Sequence, residues 1–344
     1  MNQQKVSIGF FGIRSDDEKR LTEKFQTEAI EADLYFSKEV IDKDHLPENK
    51  NLSIISVFVN STITREVMEA LPSLKFISVR ATGYDNVDLE AAKEKGIKVS
   101  NVPSYGEHTV AEFTFGLILN LSRKIYQAVD QIKEVGNWSV ENLTGFDLYG
   151  KTLGIVGTGR IGKHVAKIAK GFEMKILSYD THPDESLSKE YGLQYVSLSE
   201  LLSKSDIVTL HVPYMEETHH LLGEKEFSQM KTGAYLVNTS RGAVVDTNAL
   251  IKALQEKRLA GAALDVLEEE GVVKDEMSFI FSGKSEEHDM KTILSNHMLI
   301  DMPGVLITPH NAFNSEEAFE RISDTTVSNI KSFIEGSPVN EVKT

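Results

Sequence analysis

The chain contains no cysteine in 344 residues, which excludes disulfides, thiolate metal sites and a cysteine nucleophile together. Long apolar runs are missing as well: none approaches the ~20 residues a membrane span needs, so no membrane segment is expected. Positive charge is in deficit, with 37 Lys and Arg against 52 Asp and Glu and a formal net charge of −15. No basic stripe appears that would release counterions from phosphates, and nucleic acid is not an expected partner. The opening residues, MNQQKVSIGFFGIRSDDEKR, lack the positive start and cleavage site of a secretory leader, because charges follow directly on a short apolar stretch. A cytoplasmic protein is expected, with no metal site. Internal repeats and low-complexity linkers are absent.

What is present is an ordinary globular composition, 40% hydrophobic and 26% charged, in a chain long enough for two cores. Acidic clusters such as Glu268-Glu269-Glu270 and Glu286-Glu287-His288-Asp289 read mainly as solvated surface. Strand-length apolar runs alternate with amphipathic stretches: Val6–Phe11, the helix Asp17–Ala32, Leu52–Val59, the helix Thr64–Leu71, then Leu74–Arg80. A further unit has Leu89–Lys95 as helix, Gly96 as its C-cap and Ile97–Ser100 as strand. The rhythm predicts a parallel α/β sheet that ends near Pro103. Residues Glu107 to about Val135 then read as one long helix, apolar around most of its middle and so buried on several sides. A second series begins at Lys151, with strands near Lys175–Tyr179, Ile207–Val212, Ala234–Asn238, Gly261–Leu264 and Val305–Thr308. A last helix over Ser315–Ile334 comes too late for that sheet and is expected to return to the first domain. Residues 271–303 fit neither period and read as an insertion with short helices.

Gly157-Thr158-Gly159-Arg160-Ile161-Gly162 follows the apolar strand Thr152–Val156 and opens the helix Lys163–Gly171, the setting a dinucleotide turn requires. There the first glycine permits the turn, the second lets backbone approach a pyrophosphate, and the third lets helix and strand pack closely. The next strand ends in Asp180, where an acid takes the ribose hydroxyls. Its charge would repel a 2′-phosphate, and no Arg or Lys follows at Thr181 or His182, so NAD is favoured over NADP.

Val237-Asn238-Thr239-Ser240-Arg241-Gly242 leaves a strand and ends in an arginine, at the carboxyl edge where open α/β sheets bind ligands. An arginine there can hold a carboxylate through two parallel hydrogen bonds, or simply pair with a neighbouring surface acid. His310 stands in the same relation to Val305–Thr308 and can serve as acid or base near neutral pH. His211 also ends a strand, but Val212 and Pro213 follow it and point to shaping of the cofactor site. A carboxylate would orient the histidine, and spacing alone does not choose among Glu268, Glu269 and Glu270.

Together these segments resemble the D-isomer-specific 2-hydroxyacid dehydrogenase family over nearly the whole chain. GTGRIGKHVAKIAKGF is similar to its cofactor turn, VNTSRGAVVDTNALIKAL to its arginine segment, AALDVLEEE to its acid segment and TPHNAF to its histidine segment. The resemblance implies Arg241, Glu270 and His310 as catalytic residues, Glu270 because the family's acid lies five positions beyond the aspartate matching Asp265. It implies cofactor contacts at Tyr105, Gly157, Gly159, Arg160, Ile161, Gly162, Asp180, Val212, Pro213, Thr218, Asn238, Thr239 and Asp265. Substrate contacts are implied at Thr82 and Gly83 of Arg80-Ala81-Thr82-Gly83-Tyr84-Asp85-Asn86, whose amides would grip a carboxylate, and at Arg241, His310, Phe58 and Phe313. The implied architecture is two doubly wound parallel-sheet domains, a Rossmann NAD-binding domain (103–309) inserted into a flavodoxin-like substrate domain (1–102 with 310–344), with the active site in the cleft. The helix from Glu107 is similar to the family's dimerisation element, so a homodimer is implied. Gly83–Asn86, Phe313 and the 40 positions from Glu270 to His310 are most similar to the D-lactate dehydrogenase group. Pyruvate with NADH giving D-lactate is the implied reaction. Hydroxypyruvate, glyoxylate and branched or aromatic 2-keto acids are alternatives, and an NAD-sensing corepressor-like binding protein is one of another class.

Overall fold

The computed structural model describes residues 6–270 and 290–343. The chain divides into two units, Met1–Tyr105 with Ser315–Thr344, and Gly106–Asn314.

In the first unit the apolar runs become five parallel strands: β1 (Val6–Phe10), β2 (Ala32–Phe36), β3 (Ile54–Val57), β4 (Phe76–Val79) and β5 (Lys98–Ser100). Their order is β2-β1-β3-β4-β5, the flavodoxin-like arrangement. The two-residue period of each strand divides its side chains between two cores. Ile8, Phe10, Ile54 and Phe76 pack with Leu21 and Phe25 of the helix Ser15–Thr27 and with Val327 and Ile330 of the helix Glu316–Ile334. Ile55, Val57, Ile77 and Val79 face the opposite cluster with Val67, Leu71 and Ala91.

The late helix therefore joins the first sheet. Ser315 caps it by accepting the Ala318 N–H at 3.2 Å, and Phe333 stacks on Phe76 with ring centroids 4.4 Å apart. Beyond it, Val342 N–H donates to Val99 O at 2.8 Å, so the tail pairs alongside β5. The first helix ends at Thr27 rather than Ala32, because Ala29 turns left-handed at φ 52° and Ala32 opens β2, a half-exposed strand at the sheet edge. Gly96, at φ 67°, stands one position past the observed cap residue Lys95.

The second unit holds β6 (Thr152–Val156), β7 (Lys175–Tyr179), β8 (Gln194–Tyr195), β9 (Ile207–Leu210), β10 (Ala234–Asn238), β11 (Leu259–Leu264) and β12 (Val305–Ile307). All pair in parallel in the order β12-β11-β10-β9-β6-β7-β8. The chain runs outward from β6 in one direction and returns to β9 for the other, so the strand order reverses between β6 and β9. That reversal is the crevice where doubly wound sheets take a dinucleotide.

The long helix expected from Glu107 is corrected too. The helix from Glu107 breaks at Lys124, which adopts φ 52° and ψ 41°, giving Glu107–Arg123 and Ile125–Val135. The Ser122 carbonyl near the break accepts Phe146 N–H at 2.8 Å, and Lys124 Nζ reaches Asn142 O at 2.7 Å, so the 142–146 segment ends the first helix. Glu107–Arg123 buries Ala111, Phe115, Ile118 and Leu121, whereas Ile125–Val135 buries no residue. In the expected insertion, Met290–Asp301 forms one helix, and residues 271–289 lie outside the described residues. Among the described residues no helix is long and apolar enough to cross a membrane.

Candidate functional site

The turn after β6 has the geometry its glycines imply. Gly157 sits at φ +92°, and a Cβ there would lie 2.6 Å from His211 O, at the junction of β6 and β9. A Cβ on Gly162 would lie 2.0 Å from Gly157 O, so helix and strand could not close. Gly159 differs, since a Cβ would meet nothing within 4 Å. It precedes the helix Arg160–Gly171, so the space above it faces a helix N-terminus, and the fit to a pyrophosphate is good. Arg160 is exposed, and Ile161 is half-buried against the core beneath the turn.

Asp180 ends β7 and reaches across to the same turn. Its Oδ2 accepts from Thr158 N–H at 2.6 Å and from the Thr158 hydroxyl at 2.9 Å, while Oδ1 accepts from His182 N–H at 2.8 Å. Burial opposes the charge, but the hydrogen bonds from His182 and Thr158 prevail and hold the carboxyl below its ordinary range. An ionised carboxylate thus stands beside the dinucleotide turn.

At the end of β9 the His211 side chain is half-buried. Its Nε2 contacts Thr209 Oγ1 at 2.9 Å, and its buried Nδ1 has no hydrogen-bond partner among the described residues. Burial pushes its pKa to about 3, so the ring is neutral near neutral pH. The loop beyond is tied by Thr218, whose hydroxyl donates to Pro213 O at 2.7 Å. Val212 abuts Gly157.

β10, β11 and β12 lie side by side with Asn238, Leu264 and Ile307 in register, and each continues into a segment singled out by the sequence. Buried Asn238 shapes the first: its Oδ1 accepts from Ser240 N–H at 3.0 Å and its Nδ2 donates to Arg241 O at 2.9 Å. Thr239 meets Thr114 at 3.0 Å between hydroxyls. Arg241 is half-buried, and among the described residues its guanidinium donates to Ser240 O at 2.9 Å and pairs with no carboxylate.

Asp265, past β11, is 1% exposed and organises the turn after β12. Its Oδ1 accepts from the Thr308 hydroxyl at 2.5 Å and Asn311 N–H at 2.8 Å, its Oδ2 from Ala312 N–H at 2.8 Å, and its carbonyl from His310 N–H at 2.8 Å. Burial pushes this carboxyl above its usual range despite those bonds and the nearby His310. The turn holds His310 at φ 52°, a left-handed conformation uncommon outside glycine. His310 Nδ1 then lies 2.7 Å from Glu270 Oε1. A carboxylate only accepts, so Nδ1 carries the hydrogen and Nε2 is the ring atom left to exchange a proton with a ligand. Glu270, rather than Glu268 or Glu269, is the acid at the histidine. The Phe313 ring stands edge-on to His310, with centroids 6.3 Å apart.

The remaining sequence candidates lie in the first unit. Thr82 is exposed and donates its hydroxyl to Val102 O at 2.9 Å. Gly83 follows it, half-buried. Phe58 is half-buried beneath this turn, its carbonyl accepting Asn86 Nδ2 at 3.1 Å. Tyr105 O accepts Arg321 Nε at 2.6 Å. Sequence reasoning passed over Arg80, which is buried and donates to Ser56 O at 2.8 Å and Phe11 O at 2.7 Å. Burial lowers its pKa to about 10, which leaves it charged and pins the strand ends beneath Thr82 and Gly83. Among the described residues no cluster of metal-ligating side chains occurs.

One sheet whose carboxyl edge offers a dinucleotide turn after β6 and, toward its far end past β12, an imidazole fixed by a carboxylate has the layout of a nicotinamide-dependent oxidoreductase. A family profile described as D-isomer specific 2-hydroxyacid dehydrogenase, NAD binding domain, matches residues 115–312. The chain is similar to D-lactate dehydrogenase of Escherichia coli, 40% identical over 82% of this chain and 83% of that one. It is similar to glyoxylate reductase of Korarchaeum cryptofilum, 40% identical over 86% of each chain. A solved structure of D-lactate dehydrogenase from Aquifex aeolicus, complexed with NAD and lactic acid, superposes with a TM-score of 0.82 at 36% identity, covering 98% of this chain and 100% of that one. The chain belongs to the D-isomer-specific 2-hydroxyacid dehydrogenases, and its cofactor is NAD.

Proposed function

We propose that the enzyme reduces pyruvate to D-lactate, and catalyses the reverse, with Arg241, Glu270 and His310 as its catalytic residues. The observation that carries the reading is the 2.7 Å contact between His310 Nδ1 and Glu270, on a strand end two places from the one bearing an arginine without a carboxylate partner among the described residues. Adjacent strands are ~4.8 Å apart, so the backbones of β10 and β12, with β11 between them, stand about 10 Å apart, and beyond the strand ends two side chains can span that distance to meet a three-carbon acid. Arg241 holds the substrate carboxylate and polarises the carbonyl oxygen. His310 gives that oxygen the proton from Nε2, and Glu270 stabilises the imidazolium before transfer. NADH, when bound, supplies the hydride to the carbonyl carbon. Thr82, Gly83, Phe58 and Phe313 belong to the substrate contacts in this reading, and Tyr105, Val212, Pro213, Thr218, Asn238, Thr239 and Asp265 to those of the cofactor.

Pyruvate is favoured by the relatives named D-lactate dehydrogenase and by the similar structure solved with lactic acid. Glyoxylate is the second reading, because a glyoxylate reductase is equally identical. The test is NADH oxidation with pyruvate, glyoxylate, hydroxypyruvate and branched and aromatic 2-keto acids, repeated with NADPH. Pyruvate is expected to give the highest kcat/KM and D-lactate as product, with NADPH much poorer because the Asp180 carboxylate repels a 2′-phosphate. A tenfold preference for another acid would replace the substrate, and no turnover with any would favour a binding role.

A homodimer is part of the proposal. Ile125, Val129 and Ile132 form a stripe at helical spacing that is 40–46% exposed, continued by Val135 at 76% and Trp138 at 82%. A second copy of this helix and arm would cover it. Trp138 is the single tryptophan, so its emission should shift to the blue as the dimer forms, and Val129→Glu should give a red-shifted monomer in sedimentation. A wild-type monomer at micromolar concentration would overturn the assignment.

A further inference from the structure

Besides the His310–Glu270 contact and the exposed His45–Asp42 pair, the described residues hold an imidazole–carboxylate contact with a largely buried acid that the proposed chemistry does not use. His220 Nε2 lies 2.7 Å from Glu268 Oε1, and since the carboxylate only accepts, Nε2–H donates. Glu268 Oε2 accepts from the Thr247 N–H at 3.0 Å and the Thr247 hydroxyl at 2.5 Å. The Glu268 side chain is 12% exposed, a largely buried carboxylate whose donors come from the 219–222 turn and from the start of the helix Thr247–Gln255. Its backbone is held too, because fully buried Asn296 donates Nδ2 to Glu268 O at 2.6 Å.

These contacts join the stretch after Arg241 to the stretch before Glu270. A Cβ on Gly242 would lie 2.0 Å from the Leu267 carbonyl carbon, so the two backbones are in direct contact. His220 N–H donates to Ala243 O at 2.8 Å and Leu222 N–H to Val244 O at 3.1 Å, which adds the 219–222 turn to the same seam. His219 stacks on His220 with centroids 3.9 Å apart, and Tyr214 meets His219 edge-on at 6.0 Å, extending the packing to the loop tied by Thr218. Both His220, at φ 49°, and Glu269, at φ 51°, hold left-handed backbone that the surrounding contacts must maintain.

We infer that His220 and Glu268 are positioning residues, whose contact locks the arginine segment to the acid segment and so sets Arg241 and Glu270 at the separation catalysis needs. Neither touches substrate or reacting atoms. The inference rests on the roles proposed for Arg241, Glu270 and His310. An error of about 1 Å in such a constellation costs on the order of 100-fold in rate, so the contact's loss should appear in kcat rather than in cofactor binding.

The experiment compares His220→Ala, His220→Gln, Glu268→Gln and the double variant His220→Ala/Glu268→Gln. Turnover is measured with pyruvate, NADH affinity by fluorescence, and the folded fraction by thermal melting. His220→Ala and Glu268→Gln are each expected to lower kcat about 10- to 100-fold and raise the pyruvate KM, with the NADH Kd within about twofold of the parent. His220→Gln, which keeps a donor, should recover most of the loss, and the double variant should be no worse than the poorer single variant. Unchanged kcat and KM, multiplicative losses in the double variant, or a loss matched by the fall in folded protein would each overturn the inference. His310→Ala and Glu270→Gln, run alongside, separate the two ideas. If they keep full turnover, the catalytic reading falls; if they are inactive while the His220 and Glu268 variants are normal, only the positioning role falls.

Discussion

Replacing His310 by alanine is expected to lower kcat by roughly 1,000-fold or more, the upper range for loss of a positioned acid–base group, while NADH still binds. The separation follows from the fold. The dinucleotide turn and Asp180 stand after β6 and β7, whereas His310 follows β12 at the far end of the same sheet. The ring's Nδ1 is committed to Glu270 at 2.7 Å, so Nε2 is the atom whose loss removes the proton route. Glu270→Gln should fall between parent and His310→Ala, because an amide can still contact Nδ1 but can no longer stabilise the imidazolium. Steady-state kinetics across pH, with NADH binding by fluorescence, checks both variants. A His310→Ala protein retaining more than a tenth of parental turnover would remove the residue from proton transfer.

How far these residues could be read without coordinates depended on how local their structural causes are. Arg241 and His310 stood out because each follows an apolar run that could only be a buried strand, and strand ends are where such sheets bind ligands. Gly157, Gly159 and Gly162 were legible for the same reason, since strand, turn and helix are contiguous. Glu270 was not legible from residue chemistry alone: three consecutive glutamates are equivalent until the backbone turns, with Glu269 at φ 51°, and sends one to His310 and another to His220. The break at Lys124 was hidden because its cause, the 142–146 segment, lies beyond the end of the second helix. β2 was lost for a different reason: its alternation covers five residues at a half-exposed edge and directly follows a helix with no glycine stop. Arg80 and Asp265 owe their importance to burial against distant carbonyls, amides and hydroxyls, which composition and period do not report.

Arg241→Ala is expected to reduce kcat/KM for pyruvate by roughly 30- to 5,000-fold, the cost of removing one member of a desolvated charge pair, with kcat and KM both affected. The guanidinium suits this role because among the described residues it has a single protein contact, to the carbonyl of the preceding residue, and no carboxylate neutralises it. Asn238 meanwhile fixes the turn's backbone from both sides, so the side chain rather than the loop supplies the adaptable part. Arg241→Lys tests the geometry. It keeps the charge but presents one ammonium in place of a planar fork, so it should recover part of the affinity and little of the rate. That division arises because a point charge can attract the carboxylate, whereas holding it and the carbonyl oxygen together needs two directed donors. Full recovery by lysine would reduce the arginine's contribution to simple electrostatic attraction, and an unchanged pyruvate KM in Arg241→Ala would place the carboxylate elsewhere.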